Sequence, residues 1–467
     1  MRPAPNATMN RLKTILAAAA TVATLGAATA PQATAAVGLA PAREFAPRQL
    51  LVKVEGERRG RTVRLPAGVG VREAARALRG NPRVAYAVPN YIATASAAGG
   101  AGASAEPSPE LPNDPGTLGG PAEAATPLGD WTIKQWNFLD YEGTATPRLP
   151  ISPGGIDAVG AWQHLETVGR PGAEGVTVAV LDTGIAYRSY GGRFRKSPDF
   201  TAGQFVRGYD FVDGDKLPLD ENGHGTHVAG TIAEKTDNGI GLTGLAYRAR
   251  LMPVRVLDSH GRGDAADIAH GIRFAVAHHA QVINMSFNFG CHKRVPTVDE
   301  ALREAYAHGV VTVASAGNLG SETCVSEPAT GPRVIGVGGT SEGGCLGYYS
   351  LAGTAIDLLA PGGGNPVGGC ASISARPIYQ VTLRKGTTNE FAIPSNYVGT
   401  SMAAAHVSGL AALVLASGVL GNQPTPKARV EAVTRRIRAT SRSLGLPATQ
   451  QGAGLIDAGR ATDPTVP

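Results

Sequence analysis

Residues 176–184 read Val176-Thr177-Val178-Ala179-Val180-Leu181-Asp182-Thr183-Gly184. A run of apolar and β-branched residues closed by Asp, Thr and Gly describes a strand buried on both faces that stops at a polar turn. Working outward, runs of the same kind return at Leu251–Val256, Val282–Met285, Val310–Ala314 and Val334–Val337. Asp264–His279 and Thr297–His308 carry apolar residues at helical spacing between them. Continuous apolar strands alternating with helices predict an α/β fold: a doubly wound, mostly parallel sheet with helices on both faces, over residues 113–467.

The N-terminal quarter has another character. Gln49–Val54, Arg61–Leu65 and Val84–Val88 read as strands and Val71–Arg79 as a helix, so residues 36–93 are expected to form a small α+β domain. A core of that size is marginal alone and favours leaning on a partner. Residues 94–112, rich in Ala, Gly, Ser and Pro, read as a flexible linker open to proteolysis. At the start, Arg11 and Lys13 precede the apolar run Thr14–Ala30, and Ala33-Thr34-Ala35 offers small residues for cleavage. Residues 1–35 therefore read as a secretory signal peptide, with Met9 an alternative start.

Of the 467 residues, 43% are apolar, 17% charged and only 5% aromatic, with 62 Gly and 33 Pro. A sizeable core is available, and a platform of aromatic side chains for stacking nucleic-acid bases is not. Residues 1–112 hold 14 Lys/Arg against 6 Asp/Glu, and residues 113–467 hold 29 against 31. The excess positive charge thus belongs to the N-terminal quarter, and the large domain has no electrostatic footprint for a polyanion. The sole long apolar run is N-terminal, so no membrane association is expected once it is removed. The four cysteines, Cys291, Cys324, Cys345 and Cys370, form no C-x-x-C pair. In an exported chain they read as two disulfides, and among three connectivities the pairing of sequence neighbours is expected.

Three polar motifs carry the chemistry. Asp182 closes the first strong strand. Asn222-Gly223-His224-Gly225-Thr226-His227 opens a small-residue helix. Gly399-Thr400-Ser401-Met402 opens the apolar helix Met402–Ala416. Ligands of open α/β sheets bind beyond the carboxyl ends of the strands, where such motifs sit. A serine hydroxyl needs a base to become a nucleophile, an imidazole is that base near neutral pH, and a buried carboxylate orients the imidazole. Taken singly, Asp182 reads as a turn residue and Ser401 as a helix cap; the three extended motifs together, in the order Asp, His, Ser, do not.

On these motifs the chain resembles the subtilisin-like (subtilase) serine peptidases over roughly residues 113–463. The resemblance implies Ser401 as nucleophile, His224 as general base and then acid, and Asp182 as its orienter. It implies Asn318, in Ala314-Ser315-Ala316-Gly317-Asn318, as oxyanion donor beside the Ser401 backbone N–H. Gly261-Arg262-Gly263 and Ser286-Phe287-Asn288 resemble the two edges that hold a polypeptide substrate, with Ser315, Ala316 and Gly317 beside them. The chain departs from the family in having Asn288 and Phe289 where two glycines are usual, which alters the pocket for the residue before the scissile bond (P1), and in having Ala405 where Pro is usual.

The segment Gly239-Ile240-Gly241-Leu242-Thr243-Gly244 matches the dinucleotide fingerprint G-x-G-x-x-G, but it follows a helix and leads into a strand, the reverse of the required context. By resemblance it is a calcium loop, with a plain solvated loop as the alternative: Asn238 and the carbonyls of Thr236, Ile240 and Leu242, with Asp199, would give oxygen-only ligation suited to Ca²⁺. Residues 36–93 resemble the family's inhibitory propeptide, most clearly at Val84–Tyr91. The resemblance implies a secreted, monomeric serine endopeptidase made as a self-processing zymogen and held by its own propeptide. A non-catalytic binding protein on the same scaffold, or an esterase or acyltransferase using the same triad, are the competing readings.

Overall fold

The computed structural model describes residues 44–95, 112–118, 129–143, 149–291, 293–320, 324–368, 370 and 375–467. The expected signal peptide and most of the expected linker lie outside the described residues.

The chain divides into two compact units. One comprises residues up to Ile92 with Asp264–Ala266 and Val295–Glu300; the other holds the rest, beginning at Ala93. In the first, β1 (Phe45–Val54), β2 (Arg61–Arg64), α1 (Val71–Arg79) and β3 (Val84–Ala95) follow in order. The strands form an antiparallel sheet in the order β2-β1-β3. Helix α1 turns Val71, Ala74, Ala75 and Leu78 inward and its arginines outward, the i, i+3, i+4, i+7 stripe of an amphipathic helix. That stripe packs with Leu50, Val52 and Val63 in a small core of the unit's own. Strand β3 runs past its expected end at Val88, so Thr94 and Ala95 of the expected linker are strand; the Ala93–Ala95 end belongs to the second unit.

In the second unit, short helical segments at Trp131–Lys134 and Trp136–Phe138 precede α2 (Ala158–Thr167), which is capped by the Asp157 side chain accepting from Gly160 N. There follow β4 (Thr177–Asp182), β5 (Tyr209–Asp210), α3 (His224–Ala233), β6 (Arg250–Arg255), β7 (Arg262–Asp264) and α4 (Ala265–Ala277). Next come β8 (Val282–Met285), β9 (Phe287–Phe289), α5 (Pro296–Ala307), β10 (Val311–Ser315), β11 (Val334–Thr340) and β12 (Leu358–Pro361). The last elements used below are β13 (Thr382–Leu383), β14 (Phe391–Ala392), α6 (Thr400–Ser417) and α7 (Pro426–Thr440).

Seven strands form a parallel sheet in the order β12-β11-β10-β8-β4-β6-β5. Strands β4, β6, β8, β10 and β11 are the five expected from the sequence. Every residue of β4 from Val178 onward is buried, as both faces of a doubly wound sheet require. The chain leaves β4 toward β6 on one side and returns to β8 on the other. The sheet's switch point therefore lies between β4 and β8, where a crevice opens beyond the strand ends. Helix α6 is apolar on all sides, and almost all of its residues are buried, so it runs through the core rather than over it. Both expected disulfides are formed, Cys291–Cys324 and Cys345–Cys370, with Cα atoms 5.7 and 6.3 Å apart.

Candidate active site

Asp182 ends β4 beside the switch point and is fully buried. Its Oδ1 accepts from the backbone N–H of Thr183 at 2.7 Å and from His224 Nδ1 at 2.8 Å. His224 is the first residue of α3, so the close approach of this helix to the end of β4 creates the pair. Gly225 permits that approach: a Cβ there would stand 2.1 Å from the Gly184 carbonyl and 3.1 Å from Asp182 Cβ.

A second carboxylate, Asp220, holds the turn before α3. Its Oδ1 accepts from Asn222 N, Gly223 N and Thr183 Oγ1 at 2.9 Å each. Its Oδ2 accepts from Thr226 N at 3.0 Å and Thr226 Oγ1 at 2.6 Å. Burial pushes its carboxyl pKa up, and these hydrogen bonds draw it back down. Thr183 in turn accepts from Gly225 N at 2.9 Å. Asp220 and Thr183 thus fix the position of His224 relative to Asp182. Sequence reasoning missed both, although an Asp just before Asn222-Gly223-His224 is a helix-start signal.

Ser401 is the second residue of α6, whose first backbone N–H groups have no partner within the helix. Its hydroxyl donates to the Ser286 carbonyl at 3.0 Å. Ser286 Oγ donates to the Ser401 carbonyl at 2.8 Å and accepts from Asn284 Nδ2 at 2.9 Å, and Ser408 Oγ donates to Asn284 Oδ1 at 2.9 Å. The end of β8 is thereby laced to the first two turns of α6. Asn318 follows β10. Its Oδ1 is held by Thr400, and its Nδ2 is buried with no protein partner among the described residues. A Cβ placed on Gly399 would stand 2.8 Å from that nitrogen, which locates the free donor at the mouth of α6.

The two expected substrate edges hold an extended segment of the chain itself. Ala93, Thr94 and Ala95 pair antiparallel with Phe289, Asn288 and Phe287, and Ala95 N donates to the Gly261 carbonyl at 2.9 Å. Arg262 is exposed beside this edge. Gly263 serves packing, since a Cβ there would meet the Val256 carbonyl at 1.9 Å. Ser315 and Ala316 are buried, Ser315 Oγ donating to the Phe287 carbonyl at 3.4 Å. Gly317 N donates to Thr400 Oγ1 at 3.2 Å. A cavity of about 440 Å³ opens between Asn288, Phe289, Gly317, Asn318 and Leu351. A second, of about 320 Å³, lies beside His224 and is lined by Ala95, Asn222, Arg384, Lys385 and Tyr397.

Two other histidines near these motifs, His227 and His406, are built differently from His224. His227 Nε2 donates to the Ile378 carbonyl at 3.0 Å, its ring stacks on Tyr397 at 3.9 Å, and burial drives its pKa down to about 3. His406 Nδ1 donates to the Met402 carbonyl at 2.8 Å while its Nε2 meets Asn137 Nδ2 at 2.8 Å, and burial lowers its pKa to about 4. Both rings are neutral core residues.

The candidate calcium loop brings Asp199 and Asn238 together. Asp199 is fully buried and accepts from Asn238 Nδ2 at 2.7 Å and Leu242 N at 2.8 Å. Asp114 lies against the same loop, accepting from Thr236 Oγ1 and from the N–H groups of Asp237 and Asn238. Burial raises the pKa of both carboxyls. No group of three or more His, Cys, Asp or Glu is placed to hold a metal among the described residues. The donor set expected from the sequence, one carboxylate, one amide and backbone carbonyls, is all oxygen and fits Ca²⁺.

Residues 173–454 match the model of the Subtilase family. The chain is 35% identical over 348 residues to a thermophilic serine proteinase of Bacillus sp. (strain AK1), covering 74% of this chain and 67% of that one. It is 35% identical over 266 residues to thermitase of Thermoactinomyces vulgaris, covering 57% and 82%. An extracellular protease of Xanthomonas campestris pv. campestris is 33% identical over 376 residues, covering 72% and 56%. Among solved structures, a protease of Pseudoalteromonas arctica PAMC 21717 superposes with a TM-score of 0.57 at 28% identity, covering 76% of this chain and 99% of that one.

Proposed function

The chain belongs to the subtilase family and is a serine-type endopeptidase acting on polypeptides, and from that premise we propose that it is a secreted zymogen that processes itself with Ser401 as nucleophile. The observation that carries the catalytic part of this reading is the 2.8 Å bond between His224 Nδ1 and Asp182 Oδ1. Nδ1–H donating to a buried carboxylate sets the tautomer, so the basic lone pair is on Nε2. His224 takes the Ser401 proton as Oγ attacks the scissile carbonyl and returns it to the leaving amine. Water then hydrolyses the acyl-enzyme by the same relay. Asn318 Nδ2 and the Ser401 N–H donate to the oxyanion, the amide being pre-turned by Thr400.

The zymogen reading is supported by the extended Ala93–Ala95 segment against Phe287–Phe289, since pairing of this kind is how an extended peptide is bound along an exposed strand. The expected signal sequence, the two disulfides and the extracellular naming of a relative support export. We assign Ca²⁺ to Asp199, Asn238 and the carbonyls of Thr236, Ile240 and Leu242, where it would brace the loop and neutralise buried carboxylate.

Intact-mass measurement after a serine-directed fluorophosphonate tests the assignment. One adduct on the wild-type chain and none on Ser401→Ala is expected. An adduct retained by Ser401→Ala would overturn it.

A further inference from the structure

Strand β9 carries an asparagine, Asn288, between two buried phenylalanines. Its Nδ2 is buried and makes no hydrogen bond among the described residues. A Cβ built on Gly317, in the opposite wall of the 440 Å³ cavity, would lie 3.3 Å from that nitrogen. The amide therefore spans from β9 toward the segment that leads to Asn318, and narrows the space between them.

The ladder says what enters that space. In register, Ala93 faces Phe289, Thr94 faces Asn288 and Ala95 faces Phe287. A peptide continuing in this register sets its next residue opposite Ser286, whose carbonyl is 3.0 Å from Ser401 Oγ. That next residue is the one whose carbonyl Ser401 attacks. Side chains alternate along a strand, so its side chain shares a face with that of Thr94 and hence with that of Asn288, its diagonal cross-strand neighbour. Thr94, Asn288 and Gly317 all line the one cavity. An unpaired buried amide N–H rejects a side chain that cannot accept from it and favours one that can. The sequence following Ala95 itself begins with Ser96, a short residue with an acceptor oxygen.

Resting on the peptidase reading above, we propose that Asn288 determines the P1 preference, selecting short side chains that carry an acceptor oxygen, such as Ser and Asn, over large apolar ones.

Internally quenched peptides identical except at P1, with Ser, Asn, Ala, Leu or Phe there, test this on the processed enzyme. For the wild type, kcat/KM for Ser and Asn is expected to exceed that for Leu and Phe at least tenfold. In Asn288→Gly the ratio of Phe to Ser should rise at least tenfold. A wild-type preference for Leu or Phe, or an unchanged ratio in Asn288→Gly, would overturn the proposal. The wild-type profile decides alone if the variant does not accumulate. Turnover of the Ala peptide reports the peptidase reading separately: a flat profile with Ala turned over removes only the role of Asn288, whereas no turnover of any peptide removes both.

Discussion

Asn318 Oδ1 accepts two hydrogen bonds from one residue, the backbone N–H of Thr400 at 2.9 Å and its hydroxyl at 2.8 Å. Only oxygen can accept a backbone N–H, so the amide has one orientation, with Nδ2 at the mouth of α6. Asn318→Ala should lower kcat with little change in KM, because the donor acts on charge that develops in the transition state. The expected fall is that known for loss of the equivalent donor in a subtilisin, about a hundred- to a thousandfold. Steady-state kinetics on a single peptide checks it.

Asp220 is buried and satisfies donors on both sides of His224. Asp220→Ala should leave several buried N–H groups unpaired and destabilise the chain by about 3 kcal/mol or more. Denaturant unfolding measures that. As a positioning residue it should also shift the pH profile of kcat/KM, which a merely structural loss would leave unmoved.

His406 provides a test of pH and stability. The folded chain holds its pKa at about 4, below the ordinary 6.5, so between those values the unfolded chain binds more protons. Stability from this residue is therefore present above pH 6.5 and lost as pH falls toward 4. Asp157 acts in the opposite sense, burial raising its pKa to about 7, so a comparison of variants is needed to isolate the histidine. The cost of His406→Gln should shrink by about 2 kcal/mol between pH 7 and pH 5. Unfolding of both proteins at the two pH values checks the sign.

The ladder register also yields a processing site. If Ala95 precedes the acyl residue, self-cleavage falls between Ser96 and Ala97, and the mature chain begins at Ala97. N-terminal sequencing should find Ala97 in the wild type and an uncut chain in Ser401→Ala. Normal processing of Ser401→Ala would contradict cleavage in cis.

Calcium removal should lower Tm, and Asp199→Asn should abolish the difference between calcium-loaded and chelator-treated protein. Thermal unfolding with and without chelator, read against free calcium, checks this. Equal Tm values in the wild type would remove the assignment.

Five of the seven strands of the parallel sheet, their alternation with helices, and Asp182, His224, Ser401 and Asn318 as candidate residues were legible in the chain. Buried parallel strands must be continuous apolar runs, and a polar residue that closes such a run stands out against it. Asp220 was not legible, and Ser286 and Thr400 were visible only as motif residues without their hydrogen-bonding roles, because Asp, Thr and Ser are ordinary turn and cap residues and become informative only through partners. Ser286 and Ser401 are 115 residues apart and meet only because α6 passes under the end of β8. Asn288 was visible as a departure from glycine, but that its Nδ2 is buried, without a partner among the described residues and turned toward Gly317 depends on the packing of two walls that local sequence does not encode. Burial patterns are written locally, residue by residue. Hydrogen-bond partnership is a property of distances, and those exist only once the sheet has closed around its switch point.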